Sequence, residues 1–196
     1  PKAAVFGGAP RARISSQCLK RAVRLQTHDF CPDLFASERT RLIVQPLADR
    51  ITAKGVAPDK ALESAKLLCD ALATFDEKAE KKGVQKVKTT VFFSPLELDK
   101  VAAAVHGILS GAGNADQKNK KIAAAAAAAV DAQLKDGADI AIFGRMVATD
   151  HSLTLEGAGM FGHALSTHRA DNEIDFWTAV DDRQKHRIVV SVSRYR

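Results

Sequence analysis

Hydrophobic and polar positions switch between two periods along the chain, and the order of those periods predicts its elements. Arg11-Ala-Arg-Ile alternates polar and apolar, which reads as a short strand after the turn formers Gly7, Gly8 and Pro10. Ser15 or Ser16 then supplies an N-cap, and from about Gln17 to His28 the residues Cys18, Leu19, Ala22 and Val23 fall on one helical stripe. Lys20 and Arg24 are four apart and share another face, with Arg21 beside them. From about Ser37 to Lys135 the pattern is mostly helical. One helix follows Ser37 and is interrupted or kinked by Pro46. A second starts at Pro58-Asp59, repeats Leu62, Ala65, Lys66, Leu68, Cys69 and Leu72 at helical spacing, and gives way to the polar run Asp76 to Lys82 before Gly83. Thr89-Thr-Val-Phe-Phe is a single short β-rich run. Ser94-Pro95 with Glu97 has the form of a cap and first turn leading into Leu98–Leu109. Gly111 to Asn119 reads as a polar loop, and Lys120 to Lys135 as an Ala-rich helix that stops at Gly137.

Beyond Gly137, Asp139-Ile-Ala-Ile-Phe is a short apolar run bounded by glycines and reads as a buried strand. Ala158–His168 reads as helix and Phe176-Trp-Thr-Ala-Val as strand. Phe176 and Trp177 are adjacent, so on a strand they point to opposite faces. The expectation is an α+β protein in which a helical block is inserted between two halves of a small sheet.

Composition narrows the class. With 196 residues and 46% apolar content the chain can bury a core in one large domain or two small ones. No stretch approaches the roughly 18 consecutive apolar residues of a membrane span. Three cysteines without CxxC spacing argue against a disulfide scaffold or zinc site and fit a reducing cytoplasm. Lys2 is followed by only four apolar residues before Gly7, which is not the pattern of a signal peptide. The start at Pro1 rather than Met suits a fragment or a processed chain.

The net charge of +6 becomes informative once it is mapped. Residues 1–28 hold Lys2, Arg11, Arg13, Lys20, Arg21 and Arg24 and no acid, and residues 183–196 hold Arg183, Lys185, Arg187, Arg194 and Arg196, again with no acid. The 18 bases of residues 29–182 face 23 acids. Basic ends around an acidic middle point to a localised polyanion site. Its centre is Arg11–Arg24. Arg11 and Arg13 lead into a Ser-Ser helix start whose unpaired backbone N–H groups and positive dipole end favour anions, with three cations one turn further in. That arrangement suits phosphates spaced along a nucleic-acid backbone; a basic solvated helix is the plainer alternative.

Other chemistry-bearing groups do not assemble. Gly157-Ala-Gly-Met-Phe-Gly162 matches GxGxxG between Leu153-Thr-Leu and an expected helix, with Phe176–Val180 available as the next strand. It allows a second reading, a small dinucleotide-binding enzyme using Gly157, Gly159 and Gly162. The flanking elements are short, however, and the small residues equally suit close packing. His163 and His168 are five apart, about 140° around a helix, which is poor geometry for one metal. Asp150-His151 lacks a placed nucleophile, and Asp181-Asp182 reads as a solvated turn. No catalytic constellation, metal or cofactor is assigned.

Three segments in order carry a family resemblance. Phe6-Gly-Gly-Ala-Pro-Arg-Ala-Arg-Ile-Ser-Ser-Gln-Cys-Leu-Lys-Arg-Ala-Val-Arg24, Asp139-Ile-Ala-Ile-Phe-Gly-Arg-Met-Val-Ala148, and His163-Ala-Leu-Ser-Thr-His168 with Asp175-Phe-Trp-Thr-Ala-Val-Asp-Asp182 resemble the backbone subunit of the type I-E CRISPR Cascade complex, the CasC branch of the Cas-seven family. The resemblance implies an RRM-like (ferredoxin-like) palm sheet over 1–28 and 139–182, here incomplete, with a helical finger insertion over 29–138 and a basic tail of unclear status at 183–196. It implies a cytoplasmic, non-catalytic protein of antiviral defence that binds CRISPR guide RNA, stacks with copies of itself in a helical filament, joins other Cascade subunits and meets target DNA through the guide. Ser15, Ser16, Gln17, Lys20, Arg21 and Arg24 would grip the RNA backbone, Arg145 and Met146 would lie against the guide, and Phe176, Trp177 and Thr178 would form the base of a thumb. Measured against that family, the first palm strand before Pro1 and the C-terminal part after Asp182 are expected to be missing. A truncated CRISPR-derived fragment with no retained activity is the third reading.

Overall fold

The computed structural model describes residues 2–81, 83–129, 135–147, 153–170, 174–179 and 189–194. They fall into two compact units, residues 1–32 with 159–196 (the hairpin unit) and residues 33–158 (the helical unit). The divisions at 32 and 158 compare with 28 and 138 from the sequence.

In the hairpin unit, β1 (Lys2–Phe6) pairs antiparallel with β2 (Ala9–Ile14), Lys2 opposite Arg13 and Phe6 opposite Ala9. Gly7 and Gly8 form the two-residue loop, with φ of +62° and +72°. A tight hairpin with that twist needs left-handed backbone at both positions, which costs glycine little. The far edge of β2 carries β5 (Ala164–Leu165), again antiparallel. After Ser15 the chain enters α1 (Ser16–Phe30), two residues longer at its C-terminal end than the stripe suggested. A separate antiparallel pair joins β6 (Ile174–Ala179) to β7 (Val189–Arg194). The basic tail therefore contains a strand, for which the apolar alternation of Val190-Ser-Val-Ser was the available signal.

The helical unit holds the core. The expected single strand is in fact a pair: β3 (Glu38–Thr40) lies antiparallel to β4 (Val91–Phe93). A lone strand would leave its backbone groups unpaired, so a partner is needed. Pro46 does not break a helix, because it is the third residue of α2 (Val44–Ala53), where its missing N–H has no intrahelical partner to lose. Next comes α3 (Pro58–Ala73), led by a proline at its start, then the one-turn α4 (Glu77–Glu80) capped by Asp76. In α5 (Pro95–Ser110), Ser94 and Glu97 form a reciprocal capping box, as the sequence predicted. The Ala-rich segment begins earlier than expected, as α6 (Ala115–Ala124), because Asn114 Oδ1 accepts the Gln117 N–H. It tightens to a 3₁₀ turn over Ala125–Ala129. Leu47 and Ile51 of α2, Leu68 and Cys69 of α3, and Val101 and Val105 of α5 pack together, closed by Ile122 and by Val87, Val91 and Phe93.

Two expected elements are corrected. Asp139–Phe143 is not a strand; it lies in the short helix α7 (Ala138–Phe143) between Gly137 and Gly144, with Asp139 and Ile140 fully buried. A six-residue apolar run between glycines carries no decisive period, and burial alone does not choose a strand. Ala158–His168 is not a helix, since its Ala164-Leu165 segment extends along the edge of β2. Ala148, Asp150, His151, Asp181 and Asp182, and the expected helix end at 130–134, lie outside the described residues.

Candidate nucleic-acid interface

The basic segment of the hairpin unit is assembled from β2, α1 and the Phe161–Ala170 stretch. Ser15 is the buried N-cap, and its Oγ accepts the Cys18 N–H at 3.3 Å. The amide of Ser16 donates to Nδ1 of His163 at 3.0 Å. The helix start therefore does not present a row of unpaired N–H groups, as the sequence suggested, because two of them are already matched. Ser16, Gln17, Lys20, Arg21 and Arg24 occupy the first two and a half turns of α1, with Gln17 and Arg21 exposed and Lys20 and Arg24 half-buried. Lys20 Nζ stands 5.6 Å from the centre of the Phe161 ring, a cation–π contact.

Arg11 and Arg13 do different work. Arg11 Nε donates to the Phe6 carbonyl, and its Nη1 donates to the carbonyls of Ser166 and Thr167 at 3.1 and 2.7 Å. Its guanidinium thus ties the hairpin to the His163–His168 stretch. The same stretch is stitched to β2 by Ser166, whose N–H donates to Ala12 O while its Oγ accepts the Ala12 N–H. The paired-histidine motif reads as this strap, and the signal available in the sequence was Ser166 rather than the two histidines. Arg13 keeps its Nε buried without a hydrogen-bond partner among the described residues.

In the helical unit, Arg145 is buried beside α5. Its Nη1 donates to both carboxylate oxygens of Glu97, at 2.7 and 2.9 Å, and to Phe92 O; its Nε donates to Leu153 O at 2.9 Å. Its guanidinium also lies 5.0 Å from the Phe93 ring. Burial pushes the Glu97 carboxyl up from its ordinary value, with the Arg145 charge and the Ser94 N–H pulling against it. Sequence reasoning placed Arg145 near the guide and took Glu97 only as a cap; their joint burial had no local sequence signal. Met146, next along, is 82% exposed. Phe176, Trp177 and Thr178 lie on β6, with Cα atoms opposite Val192, Ser191 and Val190.

The strand–turn–helix context of a dinucleotide fingerprint is absent. After Gly157 the chain runs to β5 without helix through Ala170. Gly157 instead lies against Ile142–Gly144, where an added Cβ would meet Ile142 O and Phe143 C at 2.7 Å. The glycine serves a close backbone crossing, which removes the enzyme reading built on that segment. Among the described residues no three His, Cys, Asp or Glu groups are placed to share a metal, and no helix is long and apolar enough to cross a membrane.

The comparisons with known proteins fit this α+β architecture. A family profile described as CT1975-like protein matches residues 1–188, and the chain belongs to that family of Cas proteins. Its fold is similar to a chain of a CRISPR RNA-guided surveillance complex, at 24% identity and a TM-score of 0.58 over 86% of this chain and 52% of that one. It is similar also to a chain of a CRISPR RNA-guided surveillance complex in a pre-nicking state, at 24% identity and a TM-score of 0.62 over 98% of this chain and 54% of that one. The chain thus spans about half the length of the solved chains it matches. No curated protein matches it.

Proposed function

We propose that the chain is a non-catalytic backbone subunit of a type I-E CRISPR surveillance complex that holds guide RNA on the basic face of its hairpin unit. The hairpin unit is the RRM-like palm and the helical unit the finger insertion, with Phe176, Trp177 and Thr178 at the thumb base. Copies stack along the guide beside other Cascade subunits, and target DNA is met through base pairing to the guide.

The observation that carries this reading is where the charge sits within a chain of this family. The hairpin unit has twelve Lys and Arg against six Asp and Glu, whereas the helical unit has seventeen of each. The whole excess of +6 therefore belongs to the unit that contains α1. Ser16, Gln17, Lys20, Arg21 and Arg24 take the phosphates, and Arg13 supports them from β2. Arg11 is spent on the strap and orders the site, and Arg145 is spent on Glu97, so neither is assigned a phosphate.

Fluorescence anisotropy with a single-stranded RNA oligomer tests the reading. Lys20→Ala and Arg24→Ala should weaken binding about equally for all sequences, each flattening the log–log salt dependence by roughly 0.7. Affinity unchanged at low salt would leave α1 a basic surface and favour the inactive-fragment reading.

A further inference from the structure

Along residues 145–147 the side chains run buried, exposed, buried: Arg145 and Val147 are inside and Met146 projects. We propose that the Arg145–Glu97 pair is a positioning device that fixes Met146 for contact with a base of the guide. This rests on the guide-binding reading above and adds Glu97, Gly144 and Gly157 to the residues that serve it.

The geometry supports this in three ways. First, the Arg145 guanidinium joins three separate stretches, the middle of β4 through Phe92 O, the first turn of α5 through Glu97, and the later loop through Leu153 O. Second, its backbone is held as well: Arg145 N–H donates to Leu155 O at 2.9 Å and Leu155 N–H donates back at 2.8 Å. Third, the two chain segments cross at Gly144, whose φ is +79°, and Gly157, where neither position has room for a Cβ. The residue that follows this clamp has little freedom to move its Cα, while its flexible thioether remains in solvent. Taking two ions out of water is costly, and a buried pair is a poor source of net stability compared with apolar residues of the same volume. What such a pair supplies is a fixed arrangement. Lysine keeps the charge but has no counterpart to Nε, so it cannot hold Leu153 O and Glu97 in the same way.

The test uses the full chain, saturating single-stranded RNA and 2-aminopurine placed at successive positions, read well below the melting temperature. Met146→Ala should abolish the fluorescence change at one position and weaken affinity by about fivefold, the low end for a stacked base. Arg145→Lys should reproduce both losses, and the double variant should be no worse than either single one, because both act on one contact. If Arg145→Lys melts, Arg145→Met combined with Glu97→Leu refills the site without charge and is expected to give the same losses. A folded Arg145 variant that binds and fluoresces like the parent, while Met146→Ala does not, overturns the positioning role and leaves the Met146 contact standing. Parental behaviour of Met146→Ala overturns the contact and the positioning role together. Lys20→Ala in parallel reports separately whether the chain grips RNA at all.

Discussion

In the helical unit Glu97 and Arg145 are buried against each other, Leu47, Leu68 and Ile122 are almost fully enclosed, and bases equal acids. In the hairpin unit no apolar residue of those whose side chains are described is buried. There Val5, Phe6 and Phe30 are well over half exposed, α1 has no buried residue at all, and bases outnumber acids two to one. The helical unit encloses its apolar side chains and one ion pair, whereas the hairpin unit leaves its described apolar side chains exposed or half-buried. The contrast predicts that substitutions of enclosed side chains in the first unit cost stability and that substitutions of exposed side chains in the second cost little.

The largest expected effect is at the buried pair. Glu97→Ala strands the Arg145 charge and removes half of the α5 capping box, and should cost about 3–5 kcal/mol in urea or thermal unfolding. For a chain of this size that is a fall of roughly 10 °C or more in Tm. Arg21→Ala, an exposed charge of α1, should change stability by less than about 0.5 kcal/mol. Equal effects at the two sites would erase the contrast.

A matched pair of apolar truncations sharpens it. Leu68 of α3 is 1% exposed, and Leu68→Ala should cost about 2–5 kcal/mol through lost transfer energy and the cavity left behind. Val23 of α1 lies on an equally regular helical stripe, yet it is 40% exposed, and Val23→Ala should cost well under about 1 kcal/mol in the isolated chain. A large loss at Val23 would mean that α1 is covered in solution.

That pair also shows what the sequence could and could not announce. The stripe of Leu62, Ala65, Lys66, Leu68, Cys69 and Leu72 correctly gave the helix α3, of which Ala65, Leu68, Cys69 and Leu72 are buried and Leu62 and Lys66 half-buried, and Ser94 with Glu97 correctly gave the start of α5. In both, short-range spacing carries the information. The stripe of Cys18, Leu19, Ala22 and Val23 gave the helix α1 but not its burial, because periodicity states that a face is apolar and not what meets it. Asp139–Phe143 and Ala158–His168 were misassigned because long-range pairing decided them, through the crossing at Gly144 and Gly157 and through the edge of β2. The basic character of residues 11–24 was legible from charge alone. That Arg11 and Arg145 are consumed internally was not, since their partners lie 155 and 48 residues away.

The smallest effect is chemical. Cys18 in α1 and Cys31 at its C-cap are exposed, whereas Cys69 of α3 is buried, and burial pushes its thiol up to about 12. The thiolate is the reacting form, so Cys69 is protected both by access and by protonation. At pH 8 an aromatic disulfide reagent should titrate two thiols in the native chain and a third only after denaturant is added. The same shift has a sign for stability. The unfolded thiol ionises near its ordinary value of 9.0 while the native one keeps its proton. The native state therefore binds more protons above that pH, and stability falls as pH rises from 9 toward 12. Cys69→Ala should remove that component of the alkaline slope, at the cost of a small cavity. Three thiols reacting at once in the native chain would show that α3 is not enclosed and would collapse the difference between the two units.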